Sequence, residues 1–220
     1  MGFETNKIFD YLYKKFTREG YRSTFPDLFQ TFSSCSIDQT HCLPLVASTI
    51  RSINFDLLTR RLYRQQGNIP QSADAMSFAK DDVFLIEFKS GDQVEKNLNK
   101  KKLIRRVTGK INDSNRTLYT CIFPNIASLN EDKVKSRFYL VVDAEAMGID
   151  ILLQELIFRS KSSLPTGDEK IDALIGEVLP NLKDGVDNPE HYKEIDIWFS
   201  ELFDTYLSSY GIQDIRRMVE

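Results

Sequence analysis

From Asp82 to Gly91 the chain reads Asp-Val-Phe-Leu-Ile-Glu-Phe-Lys-Ser-Gly, and no other stretch constrains the fold as tightly. In an extended chain successive side chains point to opposite faces. Phe84, Ile86 and Phe88 then share one face, while Val83 and Leu85 share the other with Glu87 and Lys89. Both faces are apolar until the strand ends. A strand of this kind is stable only as a central strand covered on both sides, which implies helices layered on a sheet. The same alternation sets a carboxylate and an ammonium side by side where the strand emerges. Upstream, residues 72–79 read as a second strand, joined to the first by the polar turn Lys80-Asp81-Asp82. Such a hairpin brings Asp74 toward Glu87 and Lys89.

Around this hairpin the chain reads as helix, helix, strand, strand, helix, strand, strand, then helices. Residues 3–18 carry Phe3, Ile8, Tyr11, Leu12 and Phe16 near helical spacing, with Gly20 to end the helix. Residues 43–66 read as mostly helical, stopped by Gly67-Asn68-Ile69-Pro70. A helix is expected within 92–111, with its regular part starting near Asn97 to Lys100. Strands are expected at 117–123, closed by Pro124, and at 137–143. Beyond residue 145 the pattern is helical: 151–158, then 168–179 ended by Pro180, then about 189–209. The last of these places Tyr192, Ile195, Trp198, Phe199, Leu202 and Tyr206 in one stripe. The expected class is α/β (α+β): a small mixed sheet of about four to five strands flanked by helices. Residues 1–145 would form the core. Residues 146–220 would form a helical C-terminal extension packed on it as part of one globular unit.

Composition narrows the setting. The chain has 220 residues, 41 % of them hydrophobic, enough for one sizeable core. No apolar run approaches the roughly 18–20 residues that span a bilayer. The start, Met1-Gly2-Phe3-Glu4, lacks the features of a signal peptide, so a soluble cytoplasmic protein is expected. Cys35, Cys42 and Cys121 form an odd set without close pairing, which favours reduced thiols. His41 beside Cys42 is a weak zinc signal, because no second ligand pair accompanies it. The net charge is −3, but its distribution is uneven. Between residues 96 and 116 the basic side chains Lys96, Lys100, Lys101, Lys102, Arg105, Arg106, Lys110 and Arg116 are accompanied by one acid, Asp113. A focused phosphate contact fits that edge better than general stickiness, although a basic helix face is most often simply solvated.

Two carboxylates and a lysine on neighbouring strands can hold a divalent cation and position a water, an arrangement suited to phosphodiester hydrolysis. Asp74, then Glu87-Phe88-Lys89 at the end of an apolar strand, then a basic helix, resembles the PD-(D/E)XK nuclease superfamily over roughly residues 50–125. There are departures. Pro70 is separated from Asp74 by three residues, so no literal Pro-Asp pair is present, and the first core strand is not evident between Ile50 and Gly67. The resemblance implies a restriction-endonuclease-like core and a magnesium- or manganese-dependent endo- or exonuclease. Asp74 and Glu87 would bind Mg²⁺ or Mn²⁺, with the Phe88 carbonyl as a further ligand. Lys89 would orient or help deprotonate the attacking water and balance phosphate charge. Lys101, Lys102, Arg105 and Arg106 would contact nucleic acid, DNA more readily than RNA. An acid from the first helix, Glu4 or alternatively Asp10 or Glu19, would complete the site.

The plainer alternatives are specific too. Glu87 and Lys89 can be a surface ion pair of small energetic consequence, and Asp74 can cap a turn. The fold can also serve as a catalytically inactive nucleic-acid- or protein-binding module. A third reading is an interaction domain that forms a homodimer through Trp198 and Phe199, against the simpler expectation that both close the core. No phosphate-binding Gly-x-x-x-x-Gly-Lys loop is present, since Gly109-Lys110 is followed by Ile111 and lacks the earlier glycine. Neither Gly-x-Gly-x-x-Gly nor Gly-x-Ser-x-Gly occurs.

Overall fold

The doubly apolar stretch forms strand β4 (Asp82–Lys89), buried at every position but the last. The computed structural model describes residues 2–18, 26–37, 42–91, 94, 101–160 and 166–215. Within them β4 belongs to a six-stranded sheet whose strands follow sequence order. The other strands are β1 (Phe29–Thr31), β2 (Arg51–Asn54), β3 (Ala75–Ala79), β5 (Lys135–Val142) and β6 (Tyr192–Phe199). β1 to β4 form an antiparallel meander, and β4, β5 and β6 run parallel. The β3–β4 turn is tight, with Lys80 at φ 53°. The parallel pairs need crossovers, and the helical segments between them supply these.

Side-chain alternation divides the core into two layers. On one face Met76, Phe78, Val83, Leu85, Phe138, Leu140, Val142, Ile197 and Phe199 are buried. Helix α1 (Phe3–Arg18) covers them with Ile8, Phe9, Leu12 and Phe16. So does α4 (Lys101–Arg116), with Leu103, Val107 and Ile111. On the other face Phe84, Ile86, Phe88, Tyr139, Val141 and Trp198 pack against Phe32, Phe203, Tyr206 and Leu207. Phe32 opens the short helix α2 (Phe32–Cys35). Other helices among the described residues are α3 (Phe55–Leu62), α5 (Ile151–Ser160), α6 (Glu169–Ala173), α7 (Leu179–Asp184) and α8 (Phe203–Tyr210). None of the described helices is long and apolar enough to cross a membrane.

The mixed sheet flanked by helices, with a mainly helical C-terminal part, agrees with the sequence-based expectation, as do α1 and the central hairpin. Several local assignments are corrected. Residues 43–66 are not mostly helical: they include β2, and helix occupies only Phe55–Leu62. Asn54 starts that helix by accepting the Leu57 N–H at 2.8 Å. Residues 117–123 are not a strand. α4 continues through a π-helical turn (Thr117–Ile122), and the Thr117 and Thr120 hydroxyls donate to the carbonyls four residues back, at 2.9 and 2.7 Å. Pro180 does not end a helix. A π-turn (Leu174–Val178) joins α6 to α7, and the helical backbone runs on through Pro180 near the start of α7.

The expected helix at 189–209 is instead β6 followed by α8. β6 adds a sheet strand within the C-terminal segment. Trp198 and Phe199 lie on opposite faces of it, 1 % and 0 % exposed, so they close the core and offer nothing to a partner.

Candidate active site

Asp74 immediately precedes β3, one residue before the Ala75–Ile86 pair that ends the β3–β4 ladder, and so lies beside the Glu87 end of β4. The Asp74 N–H donates to the Ile86 carbonyl at 3.0 Å, and its carbonyl accepts the Phe55 N–H at 3.1 Å. The residue is therefore clamped on both sides by backbone. Its carboxylate Oδ2 accepts the Phe88 N–H at 2.8 Å. Glu87 projects from the face shared with Val83 and Leu85, and its side chain is fully buried.

Two ammonium groups answer these carboxylates. Lys110 Nζ lies between them, 2.7 Å from Glu87 Oε2 and 3.3 Å from Asp74 Oδ1. Lys89 Nζ donates to Glu87 Oε1 and, at 3.2 Å, to the Phe88 carbonyl. Lys110 comes from α4, which is fastened to the segment leading into Asp74. The Ser114 hydroxyl accepts the Ala73 N–H at 2.9 Å and Asp113 Oδ2 accepts the Gln71 N–H at 2.9 Å. Residues 110, 113 and 114 fall on one helical face, so the contacts that hold this segment also aim Lys110.

The electrostatics follow from burial and proximity. Burial and the facing Glu87 carboxylate push the Asp74 carboxyl up to about 7, against the pull of Lys110, Lys89 and the Phe88 N–H. Burial alone would lower the Lys110 ammonium, but Glu87 and Asp74 outweigh it and hold Lys110 above the ordinary lysine range. Asp74, Lys89 and Lys110 each keep about a fifth to a quarter of their side-chain surface open, so the cluster is reachable from one side.

Asp74, Glu87, Lys89 and the Phe88 carbonyl are thus brought together. The donor set fits a hard cation: the Asp74 and Glu87 carboxylates and the Phe88 carbonyl converge on positively charged groups, and oxygen ligands are what Mg²⁺ or Mn²⁺ require. Among the described residues no group of three or more His, Cys, Asp or Glu side chains is placed to hold a metal. Any cation here would rest on two carboxylates, backbone and water.

Glu4 does not join the cluster. It sits at the opposite end of the hairpin, where its N–H donates to Asp81 Oδ1 at 2.9 Å and its carboxylate accepts the Asn130 N–H at 3.0 Å. Its helix is held to the β3–β4 turn, which explains why it cannot reach the strand ends. Asp10 lies exposed on the same helix, and Glu19 is outside the described residues. Lys101, Lys102, Arg105 and Arg106 are all exposed on α4. Lys102, Arg106 and Lys110 recur every four residues, forming a basic row that ends at the carboxylates. Lys96 and Lys100 are outside the described residues.

Lys110 is the site residue that sequence reasoning passed over, appearing there only as one of the basic residues. Its four-residue spacing from Arg106 was the available signal. The thiols make no contribution. All three cysteines are free, and burial pushes the Cys35 thiol up to about 11, which disfavours its thiolate.

Comparison with known proteins gave no match, neither to a family model, nor to a curated protein, nor to a solved structure.

Proposed function

We propose that the protein is a metal-dependent nuclease that hydrolyses phosphodiester bonds of DNA or RNA. The observation that carries this reading is the convergence of Asp74, just before β3, and Glu87, on β4, on Lys110, with Lys89 in the same partly open cluster. Asp74, Glu87 and the Phe88 carbonyl would hold Mg²⁺ or Mn²⁺. Bound there, the cation would supply Lewis-acid character and lower the pKa of a water ligand. Lys89 would balance the charge that builds on the phosphate as the bond breaks. Lys110 would leave the carboxylates for the phosphate once the cation neutralises them. The exposed row of Lys102 and Arg106 would track the nucleic-acid backbone toward the site, giving salt-sensitive binding.

Asp74→Asn, Glu87→Gln and Lys89→Ala are each expected to abolish cleavage of labelled single- and double-stranded DNA and RNA in Mn²⁺, with the circular dichroism spectrum retained. Cleavage that survives all three changes would overturn the assignment. A second reading, a non-catalytic nucleic-acid-binding module, is favoured by one observation. Lys110 and Lys89 together already pair with both carboxylates without a cation. Lys110→Ala separates the two. Calorimetry should show tighter Mn²⁺ binding in the variant if the ammonium and the cation compete for the same oxygens. No Mn²⁺ binding to either protein would favour the binding module.

A further inference from the structure

The parallel strands β4, β5 and β6 end side by side, and next to their carboxyl ends lies a cleft of about 510 Å³. It is lined by Ser90, Asp143 and Ser200, which follow the three strands, and by Val46, which belongs to the core layer of α2 and α8. The candidate active site lies on the opposite face. A crevice beyond the carboxyl ends of parallel strands is a recurrent ligand position, and this volume suits a small molecule or an extended side chain.

The chemistry of the lining is one-sided. Asp143, Glu145, Glu201 and Asp204 line the cleft, and among the described residues no lysine or arginine does. Two of the carboxylates are partly engaged by backbone: Asp143 Oδ1 accepts the Ala146 N–H at 2.9 Å, and Glu201 Oε1 accepts the Glu145 N–H at 2.7 Å. These bonds leave the other oxygen of each for a ligand. Leu43, Pro44 and Leu45 form an apolar wall, and Leu43 is 67 % exposed.

Ser90 provides an independent pointer to a ligand. It lines the same cleft, is only 9 % exposed, and its buried hydroxyl oxygen has no hydrogen-bond partner among the described residues. Buried hydroxyls nearly always have one. A hydroxyl left orphaned in an acidic cleft can accept from an N–H donor that the carboxylates attract. The acids are not grouped closely enough to ligate a metal ion. Separated charges beside an apolar wall instead match an extended cation, whose methylenes pack while its charged ends find carboxylates.

We propose that this cleft binds an aliphatic cation, with primary ammonium groups on a methylene stem, held by the Asp143, Glu145, Glu201 and Asp204 carboxylates and by the Ser90 hydroxyl. The proposal does not depend on nuclease activity. The ligand has two sources, a free polyamine or neighbouring lysine side chains of another protein, whose ammonium groups together supply the separated charges.

Calorimetric titration of the full chain with spermidine, and separately with a tetralysine peptide, tests it. Saturable one-to-one binding is expected. Glu145→Gln with Asp204→Asn, which spares the two backbone-bonded carboxylates of Asp143 and Glu201, should weaken it about tenfold, the loss for two ion pairs near the upper surface range. Ser90→Ala should weaken it about threefold without lowering the melting temperature. Tighter binding of spermidine would assign the free polyamine, and tighter binding of the peptide would assign a lysine-bearing partner. Absence of saturable binding for both probes would overturn the proposal. So would binding that responds to the charge variants but not to Ser90→Ala, because that is general charge attraction.

Discussion

A fully buried glutamate has to be answered by positive charge, and Glu87 is answered twice, by Lys89 and by Lys110. The facing Asp74 bears the consequence. Its carboxyl is raised from 3.8 to about 7 by burial and by Glu87, so the folded protein holds a proton there that the unfolded chain releases near pH 4. Across that window the folded state binds more protons than the unfolded one, and this group makes stability fall as pH rises. The slope is bounded at about 1.4 kcal/mol per pH unit, reduced by the exposed quarter of the side chain. Asp74→Asn should flatten the decline between pH 4 and 7 in urea titrations with a chelator present, and an unchanged slope would contradict the assignment. Asp74, Glu87 and Lys89 were legible in the sequence because strand alternation is a local rule. Lys110 was not, because its role depends on α4 crossing the strand ends, which Asp113 and Ser114 secure by contacts some forty residues away.

At the scale of elements, β6 shows where periodicity misleads. Tyr192, Ile195, Trp198 and Phe199 satisfy helical spacing, yet Tyr192–Phe199 is an edge strand buried on both faces at its end. The sequence Tyr-Lys-Glu-Ile-Asp-Ile-Trp-Phe is rich in β-branched and aromatic residues, the signal that favours a strand. An edge strand invites pairing with other chains unless its free backbone groups are occupied. Here Asp196 Oδ1 accepts the Ile197 N–H at 2.8 Å, and Tyr206 is hydrogen-bonded to the Phe199 backbone. Asp196→Ala should therefore increase self-association, read by light scattering as concentration rises, while an unchanged scattering mass would show that the edge is protected by other means. The π-turns at Thr117–Ile122 and Leu174–Val178 belong to the same scale. Each keeps a helix running through residues, threonines in one case and Pro180 in the other, that local rules read as a change of element.

Over the whole molecule, β5 carries the largest structural burden. It joins β4 to β6, and its Leu140, fully buried, stands in register with Glu87. Leu140→Ala should cost about 2–5 kcal/mol, from lost burial plus the cavity left behind. For a domain of this size that lowers the melting temperature by about 10 °C. A loss under about 1 kcal/mol would mean that the layer collapses around the gap. By itself the sequence determined that Asp82–Lys89 is a central strand, that helices cover both sides of it, and that Asp74, Glu87 and Lys89 meet at its end. These features follow from alternation and from burying apolar side chains, which act over a few residues. The tertiary structure decided the rest. It placed Lys110 between the carboxylates, held Glu4 at the far end of the hairpin, turned 192–199 into a sixth strand, and brought four acids to the cleft that Ser90 also lines. Each of these depends on which elements touch, and contacts between residues far apart in the chain leave no period in the sequence.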